Sequence, residues 1–362
     1  MRILFFGTYD ARRHPRIRTL QEGLAALGDE VVECNAPLGL DTAARVRILQ
    51  RPWLLPILAA RLASCWWRLW RTSRTVGTVD AVVVGYLGHF DVHLARLLWR
   101  RVPIALDHMI SARDTAADRG VRAGWMLRLL GRVDIAALRA CDIPFVDTDE
   151  HLDLMPERER RRAVVVPVGA PAAWFGSPMP SEGTRLRVVF FGLFIPLQGA
   201  PVIGRALDLV ANDDILVTMI GTGQDLATTK AAAAHDAHVT WIDWVDPEAL
   251  PALVAGNDVC LGIFGTTPKA LRVVPNKVYQ GAAAGCAVVT SDTKPQRRAF
   301  GDAAVFVQPG DAEALADALR RLAAQPEELQ SYRTAAAARA VEAFRPEVVV
   351  APLQDRLAGA RR

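Results

Sequence analysis

Short apolar runs alternate along the chain with longer stretches of helical spacing. Ile3–Phe6, Val31–Glu33, Ala81–Val84, Ile104–Leu106, Ile143–Val146 and Val164–Val168 are strand-length, and most are followed by glycine or polar turn residues. The pattern restarts with Leu186–Phe191, Ile215–Ile220, His238–Ile242, Val259–Phe264, Ala287–Thr290 and Ala304–Val307. Runs this short and this apolar predict strands buried on both faces, joined by helices. Helix signals fall between them: Gly28 closes a helix ending near Leu27, Pro275 opens Asn276–Ala284, Gly285 ends it, and Asp311 caps a helix to about Ala324. The segment VPVGAPAAWFGSPMPSEGT, rich in Pro and Gly, reads as a linker between two α/β halves. The predicted fold class is therefore α/β, with two doubly wound sheets. The expected domains are 1–170 and 184–340, with 341–362 as a C-terminal helix that packs back on the N-terminal domain.

In such sheets ligands sit beyond the carboxyl ends of the strands. The stretch from Asp258 to Asp292 is the most informative case. A buried strand leads into a loop with Lys269 and Arg272, then into a helix that starts with Asn276 and Lys277. Free backbone N–H groups at a helix start favour an anion, so this combination reads either as a phosphate site or as a solvated basic loop. GTGQ after Ile220 places Thr222 and Gly223 where a backbone can approach a ligand closely. Asp107 and His108 follow a strand, ahead of the polar segment SARDTAADRG, and are the catalytic candidates of the first half. Asp147, Thr148, Asp149 and Glu150 read as a helix cap. Arg12, Arg13, His14 and Arg16 fit either a cleft lining or a solvated helix start. The first turn has no G-x-G-x-x-G, which argues against a nicotinamide or flavin cofactor.

Charge and cysteines narrow the classes. A net charge of +4 over 362 residues makes no case for nucleic acid. The five cysteines are scattered and never form C-x-x-C, so buried thiols in a reducing compartment and no bound metal are expected. No apolar run reaches spanning length and no signal peptide is legible, which predicts a cytoplasmic protein. Residues 42–79 contain no acidic residue, while Arg45, Arg47, Arg51, Arg61, Arg68, Arg71 and Arg74 accompany Trp53, Trp66, Trp67 and Trp70. A helical wheel gathers Leu55, Leu58, Leu62, Trp66, Leu69 and Trp70 on one side. Residues 51–74 thus read either as a helix resting on an anionic membrane surface or as a core helix with solvated arginines.

The motifs FFGLFIPLQGAPVI, MIGTGQ and PNKVYQGAAAGCAVVTSD, preceded by VPVGAP, resemble glycosyltransferase family 4 over most of the second half. The resemblance implies a GT-B fold, two Rossmann-like domains facing a central cleft, with a nucleoside-diphosphate sugar as donor. It implies transfer to a lipid-linked or saccharide acceptor in envelope or exopolysaccharide assembly, with retention, without cofactor or bound metal, and on the inner face of the cytoplasmic membrane for many relatives. It places Gly192, Thr222, Gly223, Asn276 and Gln280 around the donor, Trp244 near the base, and His108, with Asp107 as rival, near the acceptor. The family's basic residues around the first loop fall on Leu193 and Gln198, and its paired glutamates on Arg272 and Gln280. These departures suggest a relocated phosphate clamp of Arg272, Lys277 and the helix N-terminus. They also motivate a competing reading as a non-catalytic scaffold or sugar-nucleotide-binding protein. A sugar-nucleotide epimerase shares the architecture, and a nicotinamide oxidoreductase fits least.

Overall fold

The computed structural model describes residues 1–11, 14–39, 55–109, 111–121, 124–176, 185–235 and 238–360. The apolar runs form β1 (Arg2–Gly7), β2 (Glu30–Asn35), β3 (Ala81–Val84), β4 (Ile104–Asp107), β5 (Ile143–Val146) and β6 (Val164–Val165), then β7 (Leu186–Phe191), β8 (Ile215–Ile220), β9 (Val239–Ile242), β10 (Val259–Leu261), β11 (Ala287–Ser291) and β12 (Val305–Val307). The first six make one sheet in the order β2-β1-β3-β4-β5-β6, the others a second in the order β12-β11-β10-β7-β8-β9. Every pairing is parallel. The chain divides into two units, Met1–Pro167 with Pro346–Arg362, and Val168–Arg345, so the stretch read as the linker changes unit at Val168.

Alternation along each strand feeds two layers. In the first unit Ile3, Phe5, Ala81 and Val83 pack with Ile17, Leu20, Leu24, Val350 and Leu353. Leu4, Phe6, Val82 and Val84 pack with Cys65, Leu69, Val92 and Ala95 on the other face. The helix Pro346–Gly359 thus completes the first unit's core. It buries Val349, Val350, Leu353 and Leu357, worth on the order of 10 kcal/mol as an upper bound. It lies against the helix Pro15–Ala26 at Gly23, where an added Cβ would fall 2.2 Å from the Pro346 carbonyl oxygen.

Three expectations change. The polar segment after His108 is a helix, Ala112–Asp118. Ser111 Oγ caps it by accepting from the Asp114 N–H (3.1 Å), and Asp134 accepts from the Ala112 N–H (2.8 Å). Val259–Phe264 is buried throughout but leaves the ladder after Leu261, because the Phe264 N–H turns to the Gln198 carbonyl (2.9 Å). The Trp/Arg segment forms the helix Leu55–Ser73, while Arg45, Arg47, Arg51 and Trp53 lie outside the described residues. Its stripe of Leu58, Leu62, Cys65, Trp66 and Leu69 packs on the sheet. Trp66 Nε1 donates to Asp91 Oδ1 (2.9 Å). Trp70 does not join that stripe; it is 37% exposed and Trp67 55% exposed, each under an arginine, Arg74 and Arg71. Among the described residues no helix is long and apolar enough to cross a membrane.

Candidate functional site

The strand order of the second unit reverses between β7 and β10, the crevice at which doubly wound sheets bind ligands. Three glycines shape the loops there. Gly192, at φ +138°, follows β7, and its N–H donates to the Ile220 carbonyl (3.0 Å). Gly221, at φ +128°, has no room for a Cβ, which would fall 1.9 Å from the Gly192 carbonyl oxygen. The Phe194 N–H then donates to the Thr222 carbonyl (2.9 Å), and a Cβ on Gly223 would meet the Phe194 carbonyl oxygen at 2.2 Å. The loops after β7 and β8 are therefore laced backbone to backbone, which no side chain at 221 or 223 would permit.

The helix Asn276–Ala283 starts beside this lacing. Lys277, on its first turn, is 4% exposed. Its Nζ donates to Gln198 Oε1, lies 3.5 Å from the centroid of the Phe190 ring, and sits 3.2 Å from where a Cβ on Gly192 would be. Among the described residues no carboxylate pairs with it. Burial pushes its pKa well below the lysine range, against a smaller opposing pull from Cys260. A buried ammonium without an anionic partner is costly, and a preorganised anion site is the arrangement that makes use of it. Gln198 stands where the family resemblance expects a lysine. Lys277 reaches back from the start of the helix Asn276–Ala283 and brings a positive charge to that spot.

The structure thus brings together Gly192, Thr222, Gly223 and Lys277, with Asn276 preceding Lys277 and Gln280 buried one turn on. Arg272 sits in the turn Ala270–Arg272, and its Nε donates to the Pro268 carbonyl of its own loop (2.7 Å), so that part of the guanidinium is committed. Trp244 is 70% exposed on the loop after β9, at the sheet's edge.

In the first unit the adjacent pair Asp107 and His108 separates. Asp107 is buried and accepts from Arg16 Nε (2.8 Å); the same guanidinium donates to the carbonyls of Val166 (3.0 Å) and Pro167 (3.1 Å). Arg16 is therefore neither solvated nor a cleft residue, and Asp107 serves as its counter-charge. His14 stacks on Tyr86 at 3.8 Å between centroids, and Arg12 and Arg13 lie outside the described residues. Thr148 caps the next short helix by accepting from the His151 N–H (3.3 Å), while Asp147 is paired with His151 Nδ1 at 2.6 Å.

His108 instead joins two residues that sequence reasoning missed. His89 follows β3 in a loop whose Leu87 takes φ +59°, and the two imidazoles meet edge to face at 5.4 Å. Asp134 shares the buried face of the helix Trp125–Ala140 with Leu130, Ala137 and Leu138. Burial, and then His89, push the His108 pKa down to about 3, so its imidazole is neutral. Burial raises Asp134, but His89, His108 and the Ala112 N–H more than offset it and hold the carboxyl at about 2. The available signals were a carboxylate on an apolar helix face and a histidine in a glycine-bearing loop after a strand.

Residues 185–325 match the profile of the family described as glycosyl transferases group 1. No curated protein matches the chain. Among solved structures, it is similar to HepE from Anabaena (13% identity, TM-score 0.69, covering 99% of this chain and 100% of that one). It is also similar to sucrose-phosphate synthase from Thermosynechococcus elongatus (15%, TM-score 0.71, 99% of each chain). A third is an α,α-trehalose-phosphate synthase (UDP-forming) from Burkholderia vietnamiensis (13%, TM-score 0.67, 99% and 100%). The chain therefore has the GT-B fold, and its residues 185–325 match the glycosyl transferases group 1 family.

Proposed function

We propose that the second unit binds a nucleoside-diphosphate sugar, with the diphosphate against Lys277, the start of the helix Asn276–Ala283 and the laced backbone at Gly192, Thr222 and Gly223. The observation that carries this reading is the buried Lys277 ammonium at the sheet's switch point, which among the described residues meets an amide oxygen and an aromatic face and no carboxylate. A diphosphate supplies the missing negative charge, and the helix start adds N–H donors. The HepE structures hold UDP and UDP-glucose, which makes uridine nucleotides the first to test. The reaction is substitution at the anomeric carbon with the nucleoside diphosphate leaving, and we assign it retention. Lys277 stabilises the charge that grows on the departing diphosphate. Gln280 is the candidate for a sugar hydroxyl and Arg272 for the outer phosphate. In the first unit His108, neutral, is the residue assigned to the acceptor's neighbourhood. Asp107, neutralised by Arg16, is not.

The acceptor we favour is lipid-linked or an extending saccharide at an anionic membrane surface. Trp67 and Trp70, left exposed beside Arg61, Arg68, Arg71 and Arg74, support that surface. The test is calorimetric titration of the purified chain with UDP, GDP, dTDP, ADP and NAD, with and without magnesium, followed by an assay for hydrolysis or transfer of the matching nucleotide sugar. Saturable, magnesium-independent binding of one diphosphate followed by turnover supports the reading. Binding without turnover moves the chain to the non-catalytic class, and isomerisation without acceptor makes it an epimerase.

A further inference from the structure

His89, His108 and Asp134 converge from three separate elements, and each offers one ligand atom, all within 4.8 Å of one another. His89 is 6% and His108 8% exposed. His89 Nε2 and His108 Nδ1 are both buried without a hydrogen-bond partner. His89 Nε2 stands 3.0 Å from Asp134 Oδ1, but off the direction of a hydrogen bond. Buried polar nitrogens are nearly always satisfied, so two imidazole nitrogens left open beside one carboxylate need an occupant. We propose that this group is a binding site for a divalent transition-metal ion of the zinc class.

The donor set selects the ion. Two imidazoles and a carboxylate favour Zn²⁺, Co²⁺ or Ni²⁺ over Mg²⁺ or Ca²⁺, which take oxygen. Ligands at about 2.0–2.1 Å in a tetrahedron stand roughly 3.3 Å apart. The 3.0 Å separation of His89 and Asp134 already suits one edge, and the ligand atoms of all three residues lie within 4.8 Å of one another. Asp134 is held in place from outside: its Oδ2 accepts from Ser111 Oγ (2.8 Å) and its Oδ1 from the Ala112 N–H (2.8 Å), the outer bonding that orients metal ligands. Three protein ligands leave a fourth position for water or another group. The metal-free reading of the donor site is separate, since these residues belong to the first unit.

The experiment is titration of the tag-free, chelator-treated full chain with Zn²⁺ and with Co²⁺, in the absence of nucleotide. The expected result is one equivalent bound, a visible Co²⁺ absorption of four- or five-coordinate intensity, and a higher melting temperature with metal. His89→Ala and His108→Ala should each lower affinity by more than the roughly 10–100-fold that loss of an outer partner costs. Melts of the metal-free variants establish that they fold. Should a variant not fold, the Co²⁺ spectrum of the wild-type chain decides by itself. Absence of saturable binding, an octahedral aquo-type spectrum, or affinity unchanged in both folded variants overturns the proposal and makes the cluster a hydrogen-bonding network only. Because nucleotide is absent, failure here leaves the donor reading untouched.

Discussion

Replacing Lys277 by methionine should make the protein more stable and its donor site worse. The side chain is 4% exposed and its ammonium has one amide oxygen and the Phe190 face for company. Burying an ammonium costs several kcal/mol even after relaxation. A hydrogen bond from a charged group returns about 1.5–3 kcal/mol, and a desolvated cation–π contact about 2. Methionine keeps the length and the apolar packing while removing the charge. A net gain of about 1–3 kcal/mol is therefore expected, within the range seen when buried charges are replaced by apolar residues. In a unit of this size each kcal/mol moves the melting point by roughly 2–4 °C. The sign also sets the pH dependence. The folded pKa lies below the unfolded one, so below the lysine range the unfolded chain holds a proton that the folded chain resists. The advantage of methionine should be largest near neutral pH and vanish as the pH rises through about 10.4. Nucleoside-diphosphate affinity should fall about 10–150-fold, the loss of one charged hydrogen bond to phosphate. Urea unfolding with an unchanged slope, beside nucleotide calorimetry, reads both quantities. A lower unfolding midpoint, or an undiminished affinity, refutes the reasoning.

Other consequences follow from the same structure. Diphosphate affinity of the wild-type chain should weaken as the pH rises, below the range in which an ordinary lysine titrates, and Lys277→Met should lose that dependence in calorimetry at stepped pH. Arg16→Met leaves Asp107 buried without its counter-charge and should cost about 3–5 kcal/mol in urea unfolding; adding Asp107→Asn should recover most of it. Trp67→Ala with Trp70→Ala should release the protein from anionic vesicles in a sedimentation assay while moving stability by less than about 0.5 kcal/mol each, since both rings are exposed. Unchanged sedimentation would remove the membrane surface from the proposed function.

The central strands were legible because their apolar runs are buried on both faces, while the edge strands β2, β6 and β9 are only half-buried, and the caps at Asp311 and Gly285 because only certain residue types satisfy a helix end. The tight loops after β7 and β8 were legible from the glycines at 192, 221 and 223, whose backbone and lack of a side chain the lacing requires. What failed was the assignment of charged residues. Arg16 read as lining a cleft or belonging to a solvated helix start, since one sequence cannot show that Asp107, 91 positions away, lies 2.8 Å from its guanidinium. The Trp/Arg helix read as amphipathic, but periodicity alone could not tell which of its tryptophans face the sheet. Trp66 does, through Asp91; Trp67 and Trp70 do not.

The sequence by itself determined the order of strands and helices, the two-part division and the glycine turns, because these depend on local propensity and on burial pattern. Tertiary structure alone decided which charges are spent and which are open. Lys277 became significant only when the fold buried it beside Gly192 without a carboxylate among the described residues. His89, His108 and Asp134 became a group only when two strand ends and a helix face met. Pairing of charges is a matter of distances across the fold, and no local pattern encodes them.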